Sequence, residues 1–169
     1  MGPHLPRAVV EAHRCGWRVA APAIGDAAID VALDAVETAQ RAHPRSDTRH
    51  RIEHFAVASD DQVRRLVDSG IVAVPQGRFV SDIGDGVITA LGPGRANRCY
   101  RMRSWLDAGA VLPDSSDAPV AHGSPLLGIH DMSTGAPRRG MLADFALLSD
   151  DLLSVDPGRI DRLTVGERR

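Results

Sequence analysis

The stretch RHRIEH, residues 49 to 54, sets two histidines four residues apart with a glutamate beside the second. On a helix, His50 and His54 would be neighbours on one face and could chelate zinc. On a strand, side chains alternate: His50, Ile52 and His54 share one face, Arg49, Arg51 and Glu53 the other, and the two imidazoles stand about 13 Å apart. That separation is too large for one ion. The segment runs on into Phe55 and Val57 and falls where a strand is due, so His54, at its C-terminal end, is the better candidate for a site, and the two histidines are not a chelating pair. A second group, DSSDAPV at 114 to 120, follows an apolar run and sets Asp117 where parallel α/β proteins collect carboxylates for metal or base work. The same residues also suit an Asx turn from Asp114 to Asp117 ahead of Pro119. PAIGD, 22 to 26, supplies Gly25 and Asp26 for a helix entry and nothing reactive. His122 and His130 flank SPLLG with no spacing that ties them together, and read as surface residues. Cys15 and Cys99 have no histidine in sequence to activate a thiolate.

The elements that would position these groups are short apolar runs: GWRVAAPAIG (16 to 25), RIEHFAV (51 to 57), GIVAVP (70 to 75) and GAVLP (109 to 113). They read as buried strands. Between the first two, DAAIDVALDAVETAQRAH places apolar residues at 28, 29, 32, 33 and 36 on a helical face, with Asp26 available as its cap. SDDQVRRLVDSG begins with a Ser/Asp cap, sets Val63, Leu66 and Val67 on one side and stops at Gly70. ANRCYRMRSWLDAG repeats the arrangement ahead of the fourth run. Repeated βα units predict an α/β fold with a parallel sheet. The glycine-rich insertion QGRFVSDIGDGVITALGPGRAN, within 76 to 98, reads as a long loop, and its GPGR lacks the strand-turn-helix setting of a phosphate cradle. After SPLLGIHDMSTGAPRRG the pattern changes to short apolar runs broken by Asp, Pro and Gly, closer to antiparallel strands and turns.

The 169 residues suffice for one ordinary domain, and a net charge of -2 offers no basic field for nucleic acid. No apolar run approaches the roughly 18 residues of a membrane span, and MGPHLPRAVVEAHR has no continuous apolar block of the signal-peptide kind. With two unpatterned cysteines, the expected setting is cytoplasmic. All 20 basic residues are arginine, which excludes Schiff-base lysine, phosphate-loop lysine and a carbamylated lysine bridging two metals.

Taken in order, GWRVAAPAIGDAAIDVALDAVE, RHRIEH, GIVAVPQ and SSDAPV resemble the amidohydrolase superfamily, in the amidohydrolase 3 branch of N-substituted formamide deformylase-like enzymes. In that branch a fifth barrel strand ends in His-Ala-Ile-Gly-Asp, the sixth carries Arg-His-Arg-Ile-Glu-His and the eighth ends in Gly-Ser-Asp-Ala-Pro. The resemblance covers nearly the whole chain, including GMLADFALLSDDLLSVDPGRI, which looks like the family's closing segment. It implies a partial (β/α)8 TIM-type barrel, about strands five to eight, over residues 1–137, and a β-sandwich remnant over 138–169. It also implies a hydrolase acting on carbon–nitrogen bonds of small amide-like substrates through a divalent metal, zinc foremost, with His54 as a metal ligand. Asp117 would be both a ligand and the catalytic group that takes the proton from the attacking water. The fifth-strand ligand falls on Pro22, which cannot bind a metal. No His-x-His pair occurs, Ser115 stands where the family has Gly, and the stretch from Ile129 to Arg138 is shorter than the family's last helices require. A complete barrel takes roughly 250 residues, so the resemblance predicts a truncated chain with an impaired site. Open sheet edges then predict a homo-oligomer or a complementing second chain, as a half-enzyme or as a non-catalytic scaffold.

Overall fold

In the computed structural model of the chain, residues 4–132 are described. Three short strands form a parallel sheet in the order β1-β2-β3: β1 (Ala20–Ala23), β2 (Arg51–His54) and β3 (Val72–Val74). Ala21 pairs in register with Ile52 and Ile52 with Ala73, so three small or branched apolar side chains stand at one level of the sheet. All three are buried, together with Ile29, Leu33 and Val36 of α2 (Asp26–Ala42) and Val63 and Leu66 of α3 (Asp60–Asp68). On the other face Ala20, Pro22 and Arg51 are exposed. Helices therefore cover one face of the sheet, as crossover connections between parallel strands require.

The helices follow from their sequences with instructive exceptions. Ser59 caps α3 by accepting from the Gln62 backbone N–H at 3.2 Å, while the Gln62 side chain accepts from the Ser59 N–H at 2.9 Å, a reciprocal capping box. Asp26 is not the cap of α2. Gly25 holds that place, and Asp26, the first helical residue, accepts from the Ala27 N–H at 3.0 Å, where its charge also suits the helix dipole. The opening segment forms α1 (His4–Arg14), which lies against α2 and buries Val9 and His13.

Two further expectations differ from the structure. The insertion read as a loop within 76 to 98 is helical, α4 (Arg78–Ala96). Gly84 and Gly86 weaken a helix by about 1 kcal/mol each without stopping it, and the apolar spacing of Val80, Ile83, Val87 and Leu91 is helical. The break comes only at Gly92, at φ 71° and ψ 160°, after which Pro93 starts a new turn with its fixed φ. The fourth apolar run, 109 to 113, follows α5 (Met102–Asp107) but is not a strand of the sheet. Gly109 is at φ 95° and Pro113 has no N–H to donate, leaving only three residues able to pair. The chain still passes beside β3, since Ser115 N–H donates to the Pro75 carbonyl at 3.1 Å. The last described element is α6 (Pro125–Met132). Of the four strands expected, the described residues hold three, in one parallel sheet, and the β-sandwich remnant expected at 138–169 lies outside the described residues. No described helix is long and apolar enough to cross a membrane.

Candidate functional site

The two histidines of RHRIEH serve separate networks, as strand geometry demands. His50, wholly buried, accepts from the Val19 N–H through Nδ1 at 3.0 Å, so its proton sits on Nε2 and is donated to His13 Nδ1 at 2.8 Å. His13 in turn donates from Nε2 to the His43 carbonyl at 2.7 Å. Every polar atom of the pair is satisfied only when both rings are neutral. Burial, then the neighbouring His13 and the Arg45 and Arg18 charges, push the His50 pKa down from 6.5 to about 4. This pair joins α1, α2 and β2 and is structural.

His54 closes β2 at the C-terminal edge of the sheet, half-buried, with φ 70°, and Phe55 follows at φ 50°. Two consecutive left-handed residues without glycine cost about 1–3 kcal/mol each. Phe55 and Val57 hold the turn by donating to the Ala23 and Ile24 carbonyls at 3.0 and 2.9 Å, and Phe55 packs edge-on against Trp105 with ring centroids 5.4 Å apart. The His54 ring lies near Phe79, and its Nδ1 is 2.7 Å from Gln76 Oε1. Gln76 is itself buried, donating from Nε2 to the Val74 carbonyl at 3.0 Å and accepting from the Tyr100 hydroxyl at 3.3 Å. Burial, and then the nearby Cys99 and Asp117, hold the Tyr100 phenol well above its ordinary pKa, so it remains a donor.

Asp117 sits exposed in the turn Asp117–Val120 at φ 52°, its N–H donating to Ser115 Oγ at 3.3 Å. Its charge bears on Tyr100, so His54 and Asp117 are related through Gln76 and Tyr100 and not through a hydrogen bond between them. Pro22, in register with Glu53, lies on the exposed face of β1. Among the described residues no group of three or more His, Cys, Asp or Glu gathers as a metal cage. His54 fits as one nitrogen ligand; a complete ligand set is not among the described residues.

Asp114 has the opposite character. Its Oδ1 accepts from the Gly77 N–H at 2.9 Å, and a Cβ on Gly128 would collide with its carboxylate. A Cβ on Gly77 would meet Met132 Cγ at 2.7 Å. Two glycines thus let α6 close on the start of α4, where Arg78 pairs with Asp131 at 2.7 Å and with Asp82. Although the residue as a whole is exposed, protein packed around the carboxylate raises its pKa, with the Asp131 charge adding to the rise against the Gly77 and Ser115 N–H groups. His122 is exposed and accepts from the Ser124 N–H at 3.2 Å, whereas His130 is half-buried beside Asp131 at 3.0 Å. Burial raises the Cys99 thiol, which fits an unreactive cysteine.

Gln76 and Tyr100 are the residues that motif reasoning passed over. The available signal was parity: Val72, Val74 and Gln76 alternate onto one face, and the last is polar at a strand's C-terminal end.

The family model described as the amidohydrolase family matches residues 2–141. The protein LONG AFTER FAR-RED 3 of Arabidopsis thaliana is 34% identical over 151 residues, 89% of this chain and 25% of that protein. The N-substituted formamide deformylase of Arthrobacter pascens is 30% identical over 148 residues, 87% of this chain and 26% of that enzyme. The crystal structure of an uncharacterized metal-dependent hydrolase from Pyrococcus furiosus superposes with a TM-score of 0.63 at 32% identity, over 75% of this chain and 26% of that one. The chain spans about a quarter of the length of these proteins.

Proposed function

Because the chain belongs to the amidohydrolase family, we propose that it carries part of a site for metal-dependent hydrolysis of carbon–nitrogen bonds in small amide-like molecules, and that this site is impaired in the chain alone. The observation that carries the reading is His54 at the C-terminal sheet edge, its Nδ1 occupied by Gln76 and no partner on Nε2 among the described residues. Its chemistry suits a divalent ion such as zinc, for which catalytic sites normally supply three protein ligands. Asp117 is the second proposed ligand and proton acceptor. Pro22 supplies nothing. The missing ligands would come from a complementing chain docked at the open edge of β1, in a cytoplasmic setting.

The test is metal analysis of the purified protein joined to native mass measurement and an N-substituted formamide hydrolysis assay. The isolated chain is expected to hold sub-stoichiometric zinc, reduced further by His54→Ala and by Asp117→Ala, with background hydrolysis. Stoichiometric zinc in an active monomer would overturn the impaired site. Zinc retention indifferent to both substitutions would overturn the two assignments.

A further inference from the structure

We infer that Gln76 is a positioning residue that fixes His54 in the tautomer whose Nε2 lone pair is open to a ligand; this rests on the proposed ligand role of His54. The amide cannot be turned round. Its NH2 end faces the Val74 carbonyl at 3.0 Å, and reversing it would set two oxygens against each other. Oε1 therefore faces the imidazole, and a carbonyl oxygen at 2.7 Å demands a proton on Nδ1. A free histidine ring prefers the other tautomer, with the proton on Nε2, so the protein has to impose this one. The Tyr100 hydroxyl, donating to the same oxygen at 3.3 Å, closes the alternative of Gln76 swinging away. Gln76 is only 2% exposed, so water does not replace it. Partners of this kind, which orient a ligating imidazole and raise its basicity, typically change metal affinity roughly ten- to a hundredfold.

The experiment is nitrogen-15 NMR of the His54 ring in the metal-free full chain, followed by titration with cobalt(II) chloride. In the wild type, His54 should carry its proton on Nδ1. Gln76→Met, of similar volume but without an acceptor, should let the Nε2–H form take over and raise the cobalt concentration that broadens the His54 resonances by roughly ten- to a hundredfold. Gln76→Glu, whose buried carboxyl in its protonated form can donate to the Val74 carbonyl while its other oxygen accepts, should keep the Nδ1–H form. A wild-type ring protonated on Nε2 overturns the inference even if Gln76→Met fails to fold, and so does an unchanged tautomer in Gln76→Met. If the tautomer behaves as stated but cobalt leaves His54 untouched, the positioning stands and the ligand reading falls.

Discussion

Acidification tests the buried His13–His50 pair most directly. Above pH 6.5, His50 is neutral in both folded and unfolded chains and contributes no pH dependence. Below it, the unfolded chain takes a proton that the folded one refuses until about pH 4, so stability falls with pH across that window and levels off beneath it. From those two pKa values the loss is about 2 kcal/mol at pH 5 and about 3 kcal/mol at pH 4. Urea unfolding at half-unit steps from pH 7 to 4 measures it. The exposed carboxylates of Glu11, Asp26, Asp47 and Asp60 are held below their ordinary values by arginines or backbone N–H groups, and their contribution is lost mainly below about pH 4.5. The interval from 6.5 to 5 is thus clear of them. His50→Asn is the matched control, since an amide oxygen can still accept from the Val19 N–H. It leaves His13 Nδ1 without a donor, a cost of about 1–3 kcal/mol at pH 7. The variant should lose the slope between pH 6.5 and 5. An unchanged slope, or a His50 ring titrating near 6.5 in the folded protein, would refute the reasoning.

Leu33→Ala opens a cavity in the fully buried face of α2 and should cost about 2–5 kcal/mol in chemical denaturation. Ser59→Ala removes one half of the α3 capping box and should cost about 1 kcal/mol by the same measurement. Gly128→Ala drives a methyl into the Asp114 carboxylate, so α6 should separate from the 114 turn, seen as faster amide exchange in 125–132 with the sheet's protection unchanged.

What the sequence made legible follows the range of the interactions. α2 and α3 declared themselves because their apolar period and caps are local, and β1 to β3 because each is a short apolar run between turn residues. Over α4 the glycine content, a local signal, suggests a loop, whereas the longer period of Val80, Ile83, Val87 and Leu91 carries the helix. The run at 109 to 113 resembles a strand because composition describes a segment's suitability for a sheet, while membership depends on a partner edge and on free N–H groups, and Pro113 has none while the Gly109 N–H is already given to the Leu106 carbonyl.

The site divides along the same line. RHRIEH places His54 at the sheet's edge by parity alone, and the chain's family is legible from four short motifs in order. The proton on the His54 ring is not, because it is set by an amide 22 residues away whose own orientation is set by the Val74 carbonyl and whose position is braced by Tyr100. A motif therefore fixes where an imidazole stands, whereas its readiness to bind depends on a buried partner of no fixed spacing. The same distinction separates His54 from His50. His50 stands just before β2 and His54 ends it, both within one motif, yet His50 has both nitrogens engaged with protein groups. His54 has one engaged and one without a partner among the described residues. That difference, rather than the four-residue spacing, is the physical argument for proposing His54, and not His50, as a ligand.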